Sequence, residues 1–208
     1  MAIIVNIPDQ VVFVVDDDAH IRNAFGRLLR SNGYCVETYE DAGSFMRRAE
    51  LKRAPACLLL DVRLPDSNGI EVQRQLDGIV PIVFLSAHDE FDIAVTAMKE
   101  GAMDFLVKPV DESILFETTE RALDCGRRLF EQRERRKEIE RRVATLTPRE
   151  REVMELVVTG RRNKVIGYEL GAAEKTIKQH RARVMEKMGA NSLAMLVQLC
   201  SQYEAIAL

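Results

Sequence analysis

Three residue types with chemical potential recur at the ends of four apolar runs. Asp16, Asp17 and Asp18 follow the run at residues 11–15, Asp61 follows that at 57–60, Ser86 closes that at 79–85, and Lys108 follows that at 105–107. Clustered carboxylates that stay charged at neutral pH call for a cation. Magnesium suits an all-oxygen site that keeps several waters and also ligates a phosphoryl oxygen. A hydroxyl and an ammonium over the same rim, together with Mg2+, would neutralise the equatorial oxygens of a phosphoryl group moving to a carboxylate. The chemistry available is therefore phosphoryl transfer, with Asp61 as the nucleophile. Taken singly, each element is weak: acidic clusters at strand ends are often solvated loops, and a Lys-Pro pair after a strand is often a turn.

These residues need a scaffold that brings strand ends together. Runs 11–15, 57–60 and 79–85 are apolar throughout, as in strands covered on both faces by helices, and they alternate with segments of helical period such as 21–29 and 91–98. Adding 36–39 and 105–107 gives five strands, and so an α/β, doubly wound, five-stranded parallel sheet. In such a sheet, ligands bind at the carboxyl ends of the strands near the topological switch point.

The formal charge of −3 hides an asymmetry. Residues 1–118 hold 11 Lys/Arg against 20 Asp/Glu, residues 119–145 hold 9 against 6, and residues 146–208 hold 10 against 7. The acidic part suits a cation site and the basic part a polyanion. Residues 111–142 contain no Pro, one Gly (Gly126) and dense mixed charge, the pattern of a long helix that joins two domains. Phe116, Leu123 and Phe130 repeat every seven residues, but the next position is Lys137, so sustained coiled-coil heptads are not present. Thr147-Pro148-Arg149-Glu150 is a strong helix start, with a capping side chain, a proline at the first helical position and a glutamate at the third. Gly160 and Gly171 punctuate two short helices, and 174–188 and 192–203 make two more, giving a four-helix bundle. Asn163 reads as the cap of the second. Cys35, Cys57, Cys125 and Cys200 are scattered, which excludes a disulfide framework or zinc site and suggests buried thiols. No stretch reaches the length of a membrane span and no leader pattern opens the chain, so a cytoplasmic protein without membrane contact is expected.

The spacing of VVDDD, LLLDVRLPDSNG, VFLSA and DFLVKP along residues 10–120 resembles the receiver domain of two-component response regulators, a flavodoxin/CheY-like fold. The resemblance implies Asp61 as phosphoacceptor and Asp16 and Asp17 as the acidic pair, with Asp17 the direct magnesium ligand. It also implies Arg63 as a ligand through its backbone carbonyl, Ser86 and Lys108 as phosphoryl contacts, Ala87 in the switching loop and Phe105 as the aromatic switch residue. Ser86 stands where Thr is common, and either supplies a hydroxyl. Arg63 and His88 flank the entrance for hydrolytic water.

Residues 146–203 resemble the LuxR-type helix-turn-helix of the NarL/FixJ class. On a helical wheel Ile177, Val184 and Met188 share one face, leaving Lys175, Lys178, Gln179, Ala182 and Arg183 opposite, the set expected in the major groove; the resemblance adds Thr176. Lys178 can donate to guanine and Gln179 can read adenine, whereas Lys175 and Arg183 lie where phosphates pass. Arg161 and Arg162 are candidates for further phosphate contacts. Ala173 stands where relatives carry a Ser or Thr cap, a loss of roughly 1 kcal/mol. His180 falls at the edge of the inward face.

The expected domains are a receiver at 1–120, a helical linker at 121–143 and a DNA-binding domain at 144–208. A sensor histidine kinase, promoter DNA, RNA polymerase and a second copy of the chain on phosphorylation are the implied partners. The chain would be an enzyme only toward its own phosphorylation and dephosphorylation. Two competing readings are a phosphatase or phosphotransferase built on Asp61, and a phosphorylation-independent DNA-binding regulator with a degenerate receiver.

Overall fold

Uniformly apolar five-residue runs become strands because neither face has to meet water. In the computed structural model, the described residues are 9–86 and 91–207, the side chains of Phe91 and 204–207 excepted. The elements run β1 (Val11–Val15), α1 (Ala19–Ser31), β2 (Cys35–Tyr39), α2 (Ala42–Arg48), β3 (Ala56–Asp61), α3 (Gly69–Leu76), β4 (Ile82–Ser86), α4 (Phe91–Lys99), β5 (Asp104–Val107), α5 (Glu112–Ala144), α6 (Pro148–Val158), α7 (Asn163–Glu169), α8 (Glu174–Met188) and α9 (Leu193–Ala207). The fourth strand starts at Ile82 rather than 79.

All strand pairings are parallel, in the order β2-β1-β3-β4-β5. The period-two alternation of each strand divides the core cleanly. Phe13, Val15, Leu58, Leu60, Ile82 and Phe84 face one apolar layer, whereas Val12, Val14, Cys57, Leu59, Val83 and Leu85 face the other. Because β1 pairs with both β2 and β3, the chain order reverses at β1. The carboxyl ends of β1 and β3 therefore flank the switch-point crevice.

The chain packs as two compact units, one ending at Glu131 and the other beginning at Gln132. The boundary lies inside α5, so this helix is more than a connector. Leu115, Ala122 and Leu123 are buried in a sheet-face core, with Phe116 packed against it; the seven-residue repeat thus contributes to the chain's own core. Further along, Ile139 and Val143 are buried with Val153, Ile166, Ile177, Val184, Met188 and Leu196 in the helical core. Gly126 is explained by proximity: a Cβ there would run into the Ala56 carbonyl at the start of β3. The capping box at α6 forms as the sequence suggests, Thr147 Oγ1 accepting from Glu150 N (3.3 Å) and Glu150 Oε2 accepting from Thr147 N (2.9 Å).

Two expectations are corrected. Asn163 does not cap α7; the cap residue is Arg162, with no side-chain bond, and Asn163 Oδ1 instead accepts from Arg181 Nη1 at 3.2 Å. A donor on a packed neighbouring helix has outcompeted the local amides. Of the cysteines, Cys57 and Cys200 are buried, Cys125 is intermediate and Cys35, the first residue of the edge strand β2, is exposed. No helix among the described residues is long and apolar enough to cross a membrane.

Two outcomes follow from this packing. Gly126→Ala gains about 1 kcal/mol of helix propensity but forces α5 off β3, and overpacking of about 1–3 kcal/mol prevails; urea unfolding of the full chain should show a net loss. Glu150 is buried, and its carboxyl is lowered to about 2 by the Lys187 ammonium and the Thr147 amide. A carboxyl lowered on folding stabilises the fold above its unfolded value, and that stabilisation disappears as pH falls toward about 2. Thermal melts of the wild type should therefore drop more steeply across that interval than melts of Glu150→Gln.

Candidate functional site

Strand register brings the separated acidic and basic residues together. Val15 pairs with Leu60 and Asp61 with Leu85, so Asp16 and Asp61 leave adjacent strands side by side. Ser86 pairs with Val107, which places Lys108 one residue beyond the rim, its amide donating to Ser86 O at 2.7 Å.

Lys108 Nζ lies 2.7 Å from Asp16 Oδ2 and 2.6 Å from Asp61 Oδ2. Asp16 and Ser86 are fully buried, and Asp61 retains 8% exposure. Asp16 Oδ1 also accepts from Asp18 N at 2.9 Å, and Asp61 Oδ1 accepts from Arg63 N at 3.1 Å. Burial raises the Asp16 carboxyl above the ordinary range, against the opposing pull of Lys108. Burial by itself would lower Lys108, but the hydrogen bonds and charges of Asp16 and Asp61 outweigh it and raise the ammonium. Carboxylate oxygens of Asp16, Asp17 and Asp61 all fall within 4.8 Å of one another. Three carboxylates against one ammonium leave an excess of negative charge and an all-oxygen donor set, which fits a hard divalent cation.

The other residues expected at this site divide. Asp18 does not join the cluster; it caps α1, accepting from His20 N at 2.7 Å. Phe105 is partly buried, its ring 6.2 Å from that of Phe84. Ala87 and His88 lie outside the described residues. Sequence reasoning missed two supports. Arg22 Nη1 donates to the carbonyls of Asp16 (2.6 Å) and Asp17 (3.1 Å), holding the acidic loop. Asp66 accepts from Ala42 N (3.1 Å) and Gly43 N (2.8 Å), tying the loop after β3 to the start of α2. No local pattern marks Arg22, whereas the acidic residue in LPDSNG could have been read as a capping group.

In the helical unit, Ile177, Val184 and Met188 are buried on the inner face of α8. Lys175, Thr176, Lys178, Gln179, Ala182 and Arg183 are all exposed. Lys178 makes only a 3.4 Å exposed contact with Glu174, a pair of little energetic weight. Ala173 precedes α8 without a side-chain cap. Arg161 pairs with Glu169. His180 is half-buried with its Nδ1 inside and without a hydrogen-bond partner, in keeping with a packing position.

Comparison with known families matches residues 12–120 to the response regulator receiver domain and residues 144–200 to the luxR family of bacterial regulatory proteins. Nodulation protein W of Bradyrhizobium diazoefficiens is 38% identical over 192 residues, spanning 91% of this chain and 84% of that protein. The transcriptional regulatory protein FixJ of Rhizobium meliloti is 36% identical over 194 residues, spanning 92% and 95%. The solved structure of the response regulator StyR superposes with a TM-score of 0.82 at 42% identity, covering 94% of this chain and all of that one.

Removing the shared cation should be costly in the unliganded protein. Lys108→Met strands the fully buried Asp16 carboxylate, and breaking a buried pair from one side costs about 3 kcal/mol or more. Urea unfolding checks this; a loss below about 0.5 kcal/mol would mark the contact as no more than a surface pair.

Proposed function

The chain belongs to the response regulators that join a receiver domain to a LuxR-type DNA-binding domain, and on that premise we propose that phosphorylation of Asp61 controls its binding to promoter DNA. The observation that carries this reading is the sharing of Lys108 Nζ between Asp61 and the buried Asp16 at the switch point.

In this reading Asp16, Asp17 and Asp61, with the Arg63 carbonyl, would hold Mg2+, which would supply positive charge at the phosphoryl group. An Asp61 oxygen forms a bond to phosphorus as the bond to the imidazole nitrogen of a sensor histidine kinase breaks. Lys108, already beside Asp61 Oδ2, and the Ser86 hydroxyl neutralise phosphoryl oxygens. The added charge of about −2 draws Ser86 toward the phosphoryl group, and Phe105 turns inward. The chain is accordingly a regulator whose catalysis is confined to its own phosphorylation and dephosphorylation.

The switch is read out on the face of α4, β5 and α5. Val95, Met98, Val107 and Ile114 are exposed there, at 37%, 45%, 43% and 50%, an apolar set that a second copy would cover. Dimerisation brings two α8 helices onto two half-sites of duplex DNA. Lys178 and Gln179 read bases, Lys175, Thr176 and Arg183 meet the backbone, and Ala182 permits close approach. The bound dimer then acts on RNA polymerase in the cytoplasm.

Incubation with a radiolabelled small acyl phosphate and Mg2+ tests the chemistry. Label should enter the wild type, be lost with EDTA and be absent from Asp61→Asn. Sedimentation should show the labelled protein dimeric and the variant monomeric. An unlabelled wild type would instead revive the phosphorylation-independent reading, and label retained in Asp61→Asn would move the acceptor away from Asp61.

A further inference from the structure

A recognition helix reads bases only if it is held to within about 0.5 Å and 10–20°, so whatever fixes the ends of α8 bears on specificity. Its N-terminal end lacks a side-chain cap. Its C-terminal end is tied to α5 by reciprocal polar contacts. Arg142, in the last turn of α5, donates from Nη1 to Met188 O at 2.9 Å, a terminal carbonyl of α8 that the helix itself leaves unsatisfied. Glu138, one turn earlier, orients that guanidinium by accepting from Arg142 Nε at 2.9 Å. In return, Lys187 Nζ from α8 reaches Thr145 O at 2.9 Å, just past the end of α5, and Glu150 Oε2 at 2.6 Å. Both contacts place cations on helix C-terminal carbonyls, where the dipole favours them.

The residue that ends α8 accommodates the strap. Gly189 adopts φ of 64°, and a Cβ there would sit 2.6 Å from Arg142 Nη1. Beneath the polar contacts, Ile139 and Val143 of α5 are buried in the same core as Val184 and Met188 of α8. Residues 138–143 thus precede the matched LuxR-type segment, which begins at 144, yet they brace its recognition helix.

We propose that Arg142 is a positioning residue for DNA reading, which with Lys187 locks the C-terminal end of α8 to the last turn of α5. The proposal rests on the reading of the exposed α8 face as the DNA-contacting surface. Any rotation of the last turns of α5 then acts on α8 directly, through the Arg142 guanidinium, rather than through the intervening α6 and α7.

The test uses the full-length chain and two duplexes of equal length, one recovered from a random-sequence pool by the wild-type protein and one unselected. Arg142→Gln should weaken binding to the selected duplex on the order of tenfold, the value of a lost hydrogen bond to a charged group. Binding to the unselected duplex and the salt slope should not change. Arg142→Lys, which keeps the charge but not the fork, should fail to restore the preference. Glu138→Ala, which leaves Arg142 present but unoriented, should give a smaller loss in the same direction, and it carries the test if Arg142→Gln folds poorly. A parallel fall on both duplexes with a shallower salt slope would make Arg142 a phosphate contact and overturn the proposal, as would an unchanged preference in Arg142→Gln and Glu138→Ala. Gln179→Ala reports separately on the α8 face: if selected binding survives that change, the underlying reading fails and the proposal fails with it.

Discussion

One ammonium held between two carboxylates organises the sheet unit. Asp16 is fully buried, and a carboxylate removed from water is tolerated only if a counter-charge and hydrogen bonds replace the water. Lys108 supplies the charge to Asp16 and Asp61 together, while backbone amides of Asp18 and Arg63 satisfy the remaining oxygens. The strand order follows the same requirement, since only the reversal at β1 sets the carboxyl ends of β1 and β3 side by side with a crevice between them. Three carboxylates around one ammonium still leave the site short of positive charge. That imbalance is what a divalent cation can offset.

The helical unit meets a different constraint. Its inner faces are apolar and assemble one small core, but the exposed face of α8 is nearly all polar and contributes nothing to packing. The inner faces supply the burial, and polar contacts fix the helix ends: the Thr147–Glu150 box, the Lys187 ammonium on Glu150 and the Arg142 guanidinium on Met188 O. None of these contacts involves Lys175, Thr176, Lys178, Gln179, Ala182 or Arg183. Helix α5 belongs to both units, burying Leu115, Ala122 and Leu123 in one and Ile139 and Val143 in the other.

Particular residues show why some features were legible and others were not. The strands could be read because burial on both faces leaves an unbroken apolar signature, and the α6 start because its capping partners lie within four residues. Asn163 misled because its local appearance as a cap was overridden by Arg181, eighteen residues away. The seven-residue spacing of Phe116 and Leu123 was too short to mark a coiled coil, and periodicity cannot say which surface covers such a stripe; the sheet does. Arg22 left no trace, since its partners are backbone carbonyls, which every residue carries.

Sequence alone determined the identities at the strand ends, the acidic and basic division of the chain, and which face of α8 must turn outward, because residue type and period are local properties. Tertiary structure decided what those residues touch. It separated Asp18 from the acidic cluster, placed Lys108 on Asp16 and Asp61 at once, and joined the end of α8 to α5 through Arg142. Those outcomes depend on contacts between residues dozens of positions apart, and only the packing of whole strands and helices sets such distances.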